Sequence, residues 1–395
     1  AASVIVDGDY TVGQIIFLAA GAGGETVITF TNEDSGTLTI TGKGVSQPIQ
    51  LNRNPQHAIF NLPVIFDSSE NKTETWLFNT GNTQITFGEG HSFTVKDEIT
   101  FKSKSTTTDI NFNGTTSGAG NLKFATASNA IFGANFDGSS FTGKMIIAGD
   151  FGTANKVTLT SNVADGGTFL GSGASISVIK NGGTINVNGE NTLKGKIFLT
   201  GAFGAALKIN KNQSAVGTVN VGTGKLTITA PSSVSKIAFA DSKAATWGTP
   251  ASIYSVVING ATNNEVSFGS SATGLTATQL SQVSLNGTVP FISSSGELYI
   301  TVTNSTFNGG GGDSLWSNAS NWSAGIPTVD NAQIIVIKDL VVDSDKTVSQ
   351  IKNNGNSDTS VKITATDGSK LTVTGADNAS GNAIAQPFQN NKVGS

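Results

Sequence analysis

The chain has 395 residues, 48 of them glycine, with no cysteine, charged residues at only 13% and a formal net charge of −4. The lack of cysteine excludes thiol catalysis, thiol redox chemistry and zinc ribbons. Nucleic-acid recognition depends on clustered arginine and lysine, and Arg53 is the only arginine, so a nucleic-acid partner is excluded too. A surface kept soluble by hydroxyl and amide groups rather than by ions is typical of secreted and cell-surface bacterial β-proteins.

Residues 1–35 contain predicted strands over 4–6, 14–18 and 26–30, the first two joined by a hairpin turn at 7–9. The second of these strands is apolar without alternation, so both of its faces are expected to be covered. A solenoid needs a cap over its first coil, because unpaired strand edges invite aggregation. We therefore interpret this region as an N-terminal cap or first coil.

Residues 36–230 continue with short runs in which apolar and polar residues alternate, bounded by glycine, asparagine, aspartate and serine. This period of two predicts strands with one inward and one outward row of side chains. Strand spacing of roughly 8–12 residues is typical of an all-β sandwich, barrel or solenoid. The rhythm is clearest over 118–230. Between 36 and 124 phenylalanine recurs at one apolar position, which predicts an internal aromatic ladder in stacked coils.

Residues 231–305 break this rhythm, and we interpret them as a small irregular β module that seals the first solenoid. They include Pro231 and a predicted helical turn over 276–281. The remaining segments are predicted as a flexible glycine-rich joint at 306–312, a second β-solenoid segment at 313–380 and a loose tail at 381–395.

Three sets of motifs stand out between residues 118 and 335. The first is GAGNLKF at 118–124 with ANF at 134–136 and SFTGKMII at 140–147, and it resembles the autotransporter-associated β-strand repeat of bacterial surface proteins. The second is SKIAFADSKAATW at 235–247 with VSFGSSATGLTATQL at 266–280, which is similar to a segment that often ends such repeats. The third is WSNASNWSAGIP at 316–327 with DNA at 330–332, which resembles the opening of a fresh β-helical segment.

The resemblance implies a right-handed parallel β-helix of the kind found in large bacterial surface and passenger proteins. The predicted fold class is therefore all-β, a right-handed parallel β-helix (solenoid) interrupted by a small irregular β module.

Few residues are candidates for catalysis. The two histidines, His57 and His91, lie in turn-like sequences and are interpreted as surface loop residues. β-Helical enzymes that cleave acidic polysaccharides need several carboxylates on one face, together with arginine or lysine. Arg53 beside His57 is the one place where such groups gather, and no acidic run adjoins it. We therefore predict that the protein is not an enzyme.

Asp339, Asp343 and Asp345 are the candidate metal ligands, because three carboxylates within seven residues offer the oxygen atoms that calcium prefers. Lys338 and Lys346 bracket them, which favours a solvated turn as the alternative. Calcium is the one cofactor that the sequence suggests.

Trp316 and Trp322 lie six residues apart in a stretch rich in serine and asparagine. One interpretation is a hydrophobic plug that closes the start of the second solenoid segment. The other is a contact with a carbohydrate or a protein partner.

Together these observations predict a non-enzymatic extracellular protein of the bacterial cell surface. It is expected to be a β-solenoid structural subunit that self-assembles into a surface layer or filament, or an adhesin, with further copies, neighbouring surface proteins or carbohydrate as partners. The alternatives are a carbohydrate-active or carbohydrate-binding β-helix protein and a phage tail fibre. No run reaches the roughly 18 apolar residues of a membrane helix, so no membrane-spanning segment is predicted. The small residues Ala1, Ala2 and Ser3 resemble those left by signal-peptide cleavage, which predicts a mature exported chain.

Overall fold

A computed structural model of the protein divides into two compact units, Ala1–Tyr299 and Ile300–Ser395. The chain is nearly all β, and its parallel stacked coils form a β-solenoid of about 11 turns, which confirms the predicted solenoid. The structure describes residues 2–390 apart from 18–25, 34, 43–44, 46–47, 52–55, 69–73, 79–83, 104–107, 126–127, 149–156, 181–182, 201–203, 251–252, 301–303, 324–325, 328–331, 355–360, 367 and 376–385.

Three sets of parallel strands, named here the first, second and third faces, run along the first unit. The first face is one twelve-stranded sheet of Ala2–Val6, Thr26–Asn32, Gln56–Asn61, Gln84–Phe87, Thr108–Phe112, Ser128–Phe132, Thr158–Ser161, Thr184–Val187, Ala205–Ile209, Leu226–Thr229, Val256–Asn259 and Val283–Leu285. The second face is a six-stranded sheet of Tyr10–Val12, Leu38–Ile40, Val64–Phe66, Ser92–Val95, Thr115–Gly118 and Asp137–Phe141, followed in later coils by a three-stranded sheet of Gln213–Val216, Ile237–Phe239 and Val266–Phe268. The third face is a nine-stranded sheet of Ile15–Phe17, Ile49–Leu51, Glu74–Phe78, Ile99–Ser103, Leu122–Ala125, Lys144–Ala148, Ser175–Lys180, Lys196–Leu199 and Val219–Val221.

A short helix, Ala277–Ser281, confirms the predicted helical turn in this unit. The hydroxyl of Thr276 accepts a hydrogen bond from the backbone N–H of Gln279 at 3.2 Å, and the Gln279 side chain accepts one from the N–H of Thr276 at 2.8 Å. This reciprocal pair is a capping box, which satisfies two N–H groups at the start of the helix. An antiparallel pair of strands follows, Phe291–Ile292 with Leu298–Tyr299. None of the described helices has the length and hydropathy of a membrane span.

The predicted hairpin at the start of the chain is wrong. The strands observed at its two predicted arms, Ala2–Val6 and Ile15–Phe17, belong to the first and third faces, and each pairs in parallel with a strand one coil later. Tyr10–Val12 lies between them in the second face. The turn at 7–9 is a corner of the coil, because a solenoid directs consecutive strands to different sheets.

The aromatic ladder that the sequence predicts is confirmed on the first face. Strand register places one phenylalanine from each of five successive coils in line: Phe30, Phe60, Phe87, Phe112 and Phe132. Neighbouring rings have centroids 5.0–5.6 Å apart and interplanar angles of 10–17°. Stacked rings at this distance add to the stabilisation that comes from burial alone.

The ladder ends at Ser161, which lies in register with Phe132. The ring of Phe169, from the following corner, packs against Phe132 with centroids 4.8 Å apart. The Ser161 hydroxyl is buried, and it has no hydrogen-bond partner among the residues that the structure describes. An unpaired polar group of this kind destabilises the core around it.

Ser161→Ala is expected to raise the free energy of unfolding by about 1 kcal/mol, because it removes a desolvated hydroxyl without changing the shape of the core much. Chemical denaturation of both proteins measures the difference. Thr160→Ala is the matched control, since the Thr160 hydroxyl is half-buried and accepts a hydrogen bond from Asn186 Nδ2 at 3.2 Å. A loss of stability in Ser161→Ala would contradict this account.

Two glycines of the repeat-like motif are required where the corners of adjacent coils stack. A Cβ atom on Gly143 would overlap the carbonyl oxygen of Gly120, and a Cβ atom on Gly120 would overlap that of Asp97. Close backbone approach between coils therefore accounts for glycine at both positions.

The second unit has the same parallel arrangement in fewer coils. Its sheets are a four-stranded one of Asn304–Phe307, Gln333–Val336, Gln350–Asn353 and Phe388–Asn390, and two pairs, Leu340–Val342 with Ile363–Ala365 and Lys346–Val348 with Leu371–Val373. A 3₁₀-helix spans Ala319–Asn321. The buried core cluster consists of Phe307, Trp316, Trp322, Ile334, Val336, Leu340, Val342, Val348 and Ile351.

Several strands lie inside the segments that the sequence analysis set apart. Val256–Asn259 and Val283–Leu285, within the predicted irregular module, extend the first face. Asn304–Phe307 ends inside the predicted joint. Phe388–Asn390, within the predicted tail, pairs with Gln350–Asn353. Most of the other tail residues lie outside the described part of the chain.

Candidate functional site

Two of the predicted calcium ligands bind the backbone of the next coil. Asp339 Oδ1 accepts a hydrogen bond from the N–H of Lys362 at 2.8 Å, and Asp345 Oδ1 accepts one from the N–H of Lys370 at 2.8 Å. Both N–H groups lie just before a strand, where the chain turns a corner. The two carboxylates therefore satisfy backbone donors that no strand partner reaches.

The third ligand, Asp343, binds Ser317 of the preceding coil, accepting hydrogen bonds from its N–H at 3.2 Å and from its hydroxyl. The three carboxylates are not brought together, and in the described ranges no group of three or more histidine, aspartate and glutamate residues is arranged to hold a metal ion. Calcium binding by Asp339, Asp343 and Asp345 stays a prediction. The geometry assigns these side chains to hydrogen bonds between coils.

The same contact recurs in the first unit, and we name it the inter-coil cap: a side-chain oxygen of one coil accepts a hydrogen bond from a backbone N–H of the next. The donor and acceptor atoms are 2.7–2.9 Å apart, and the caps join Asp9 to Thr37, Asp165 to Glu190, Asn191 to Ser214 and Asn212 to Ser235. The sequence analysis missed these caps. Their signal is an aspartate or asparagine at a corner, followed one coil length later by the next corner or by the start of a strand.

Trp316 and Trp322 are packed inside the second unit, with relative exposures of 1% and 5%. Their ring centroids are 4.8 Å apart, and Trp322 also meets Phe307 edge to face at 5.1 Å. Nε1 of Trp322 donates a hydrogen bond to the carbonyl oxygen of Trp316 at 2.8 Å. The plug interpretation fits this geometry. A carbohydrate or partner contact needs an accessible ring face, and neither ring offers one.

Asn321, a residue that the sequence analysis did not single out, holds the stretch just before Trp316 in shape. It is fully buried. Its Nδ2 donates to Asp313 Oδ1 at 2.7 Å and to the carbonyl oxygen of Leu315 at 2.9 Å, while its Oδ1 accepts from the N–H of Gly311 at 2.8 Å. These bonds attach the glycine-rich stretch to the plug. The predicted joint is thus partly a folded loop of the second unit.

The Asp313 carboxylate titrates abnormally because its neighbours favour the ionised form. Hydrogen bonds from Asn318, from Asn321 and from the N–H of Leu315 hold the pKa of Asp313 below its ordinary value of 3.8. Ionised Asp313 therefore stabilises this loop above the ordinary pKa, and the stabilisation is lost as the pH falls through the lowered pKa of the folded state.

Asp313→Asn is expected to make the second unit less sensitive to acid than the wild type. The amide keeps an acceptor oxygen but has no charge to lose, so the stability difference between the two proteins should shrink as the pH falls from about 5 to 2. Thermal unfolding at a series of pH values measures this difference. Parallel acid profiles for the two proteins would contradict the assignment.

The two histidines occupy different settings. His57 lies in the strand Gln56–Asn61 instead of the predicted loop, half-buried, with Nε2 2.9 Å from Thr86 Oγ1. His91 lies in the loop that follows the turn at 89–90, as predicted, and is half-buried. Arg53 falls outside the described residues, so its grouping with His57 stays a prediction.

The first coil presents an unpaired edge among the described residues, and we name it the first-coil edge. Its strands are the outermost ones of the three faces: Ala2–Val6, Tyr10–Val12 and Ile15–Phe17. Val4 and Tyr10 hold inward positions, in register with the buried Phe30 and Leu38. They are nevertheless 40% and 50% exposed, because no described coil covers them.

The last coil of the second unit presents an edge that faces away from the coil before it, and we name it the last-coil edge. Its outermost strands are Ile363–Ala365, Leu371–Val373 and Phe388–Asn390. Ile363 and Phe388 lie in register with the buried Leu340 and Ile351, yet Ile363 is only half-buried and Phe388 is 66% exposed. Among the described residues, each edge therefore combines strand backbone that has no strand partner with exposed apolar side chains.

Comparisons of the chain with protein families, with curated proteins and with solved structures each find no match. The resemblance to the autotransporter-associated repeat therefore depends on the sequence motifs alone.

Proposed function

We propose that this protein is a non-enzymatic structural component of a bacterial cell surface, a β-solenoid subunit that self-assembles into a surface layer or filament. The observation that carries the proposal is the use of acidic and amide side chains as inter-coil caps. Asp9, Asp165, Asp339 and Asp345 bind backbone N–H groups between coils. Such side chains stiffen a stack of coils.

The first unit has the elements of a stiff support. Twelve parallel strands at about 4.8 Å spacing give its first face a length of about 50 Å, and the phenylalanine ladder runs beneath much of it. Half-buried polar groups also bridge coils on this face, as Asn111 Nδ2 does to Thr86 Oγ1 at 3.4 Å. Rows of hydroxyl and amide groups of this kind can form hydrogen bonds with neighbouring molecules, and they do so without repulsion between like charges.

Self-assembly is favoured over a purely adhesive role by the composition of the chain, in which charged residues make up only 13%. Faces of hydroxyl and amide side chains can form hydrogen bonds with the same faces of a second copy without repulsion between charges.

Immunogold labelling of intact cells of the source organism, with electron microscopy of the purified chain, tests the proposal. Label on the outer surface and ordered assemblies of purified protein are the expected results. Label confined to the cell interior would overturn the surface assignment. Binding to host cells by protein that stays monomeric would favour an adhesin.

A further inference from the structure

We propose that copies of this chain bind side by side, with two lysines on the third face of one copy against an acidic corner of the next. This inference rests on the proposed structural function and deepens its self-assembly. The occupant of each surface is another copy of this chain, because the two surfaces are opposite in charge, lie on opposite sides of the first unit and share a spacing.

The corner that follows the first face carries a line of acids, which we name the acidic ridge: Asp7, Asp9, Glu33, Glu89, Asp165 and Glu190. All are exposed except Glu190, which is half-buried. In the coils before residue 210, the described residues of this corner include no lysine or arginine. None of the ion pairs between described residues includes a ridge acid. The ridge is therefore a surface of uncompensated negative charge.

The third face carries the opposite charge in two exposed lysines, Lys144 and Lys196, which we name the lysine pair. Each is the first residue of its strand, and both stand in register with Ser175 of the coil between them. Lys123, one coil earlier, binds Glu98 at 3.3 Å, whereas neither member of the pair forms an ion pair among the described residues. The three strands Lys144–Ala148, Ser175–Lys180 and Lys196–Leu199 contain no acid. Positive charge is therefore uncompensated here.

The spacing of the charges is also complementary. Lys144 and Lys196 are two coils apart, which separates their backbones by about 10 Å along the stack. On the ridge, Glu33 and Glu89 precede Leu38–Ile40 and Ser92–Val95, second-face strands that are likewise two coils apart. The lysine pair of one copy can therefore meet both glutamates of another. Opposite charges arranged in this way determine which surfaces meet and in what register.

The two surfaces lie on opposite sides of the first unit. Each coil leaves the first face at the acidic corner, and the third face lies across the coil from that corner. One copy can therefore bind a neighbour on each side at the same time. A contact between two different surfaces is heterologous, and it continues into an open row of molecules when rotation does not close a ring.

The test uses the full chain and two charge-reversed variants in sedimentation velocity at low ionic strength. Lys144→Glu with Lys196→Glu makes both surfaces acidic, and Glu33→Lys with Glu89→Lys makes the facing part of the ridge basic. Each variant alone should associate at least about tenfold more weakly than wild type, because two attractions become repulsions. An equimolar mixture of the two should regain association, since each surface of one variant then meets the opposite charge on the other.

Lys208→Glu with Lys225→Glu is the matched control. Both lysines are exposed, but Lys208 lies on the first face and Lys225 immediately before one of its strands. This variant has the same change in net charge and should associate as the wild type does.

Neutral replacements provide a second route if the charge-reversed variants fold poorly. Lys144→Gln with Lys196→Gln should weaken association about two- to fivefold for each lost pair of charges. Raising sodium chloride from about 0.02 to 0.3 M should weaken association of the wild type and have less effect on this variant, because salt screens exposed charges. Equal salt dependence of the two proteins would contradict the contact.

The outcomes separate this inference from the proposed function. A wild-type chain that stays monomeric up to about 100 μM, the upper micromolar range of weak association, would overturn self-assembly and the side-by-side contact together. Assemblies that persist unchanged in both charge-reversed variants would overturn the contact alone and leave self-assembly in place. A mixture of the two variants that stays monomeric would exclude the pairing of the lysine pair with the acidic ridge.

Discussion

Phe112→Ala is expected to lower the free energy of unfolding of the first unit by about 3–5 kcal/mol, the range for removal of a buried phenyl ring. The ring stacks on Phe87 at 5.2 Å and on Phe132 at 5.1 Å, with interplanar angles of 17° and 10°. Further described rings surround it, including Phe93 at 5.5 Å. The cavity would interrupt the ladder at its fourth ring, where the coils above and below cannot collapse without disturbing their hydrogen-bonded register.

Chemical denaturation monitored by circular dichroism measures the loss of stability. Hydrogen exchange locates that loss in the coils around Phe112. Phe291→Ala is the matched control, since the same atoms are removed from a ring that is 53% exposed. Its expected cost is below about 1 kcal/mol, because little buried surface is lost. Equal effects of the two substitutions would mean that the ladder does not stabilise the stack.

Gln213→Leu is expected to cost about 3 kcal/mol or more, although leucine is apolar and similar in size. The amide is fully buried and binds four backbone groups. Its Oε1 accepts from the N–H groups of Thr192 and Leu193, both at 3.1 Å. Its Nε2 donates to the carbonyl oxygens of Gly189 at 2.7 Å and Lys211 at 3.2 Å. Leucine leaves these groups desolvated and without that partner.

Denaturation midpoints and hydrogen exchange of the amides of Thr192 and Leu193 measure the effect. Exchange at these two amides should accelerate more than at amides of distant coils. Gln84→Leu makes the same change at a half-buried position of the first face and should be close to neutral. A Gln213→Leu protein as stable as the wild type would show that water replaces the lost amide.

Local periodicity was sufficient to predict part of this structure. Apolar residues two apart, with glycine and asparagine between the runs, specify strands and corners, because side chains alternate along any strand. Recurrence of phenylalanine at one position of those strands was enough to predict the ladder that Phe60 and Phe112 belong to. The helical turn near Gln279 could likewise be predicted, since its capping residues are close together in the sequence.

The candidate sites were harder to predict, because the type of a residue does not indicate which neighbouring coil its side chain contacts. Asp339 and Asp345 have the chemistry of calcium ligands, yet each accepts a backbone N–H from the next coil. Trp316 and Trp322 suit a sugar platform as well as a core, and only their burial separates the two uses.

The sequence by itself determined that this protein is built of short β-strands joined by turns, with phenylalanine recurring at one apolar position, since that information lies in spacings of two residues and in the recurrence of turns. The choice of a solenoid among the all-β folds came from the motif resemblance. Only the tertiary structure decided which side chains bridge coils and where the ladder stops at Ser161. Those features depend on strand register between residues some 20–30 positions apart, and a shift of one residue would exchange every inward side chain for an outward one.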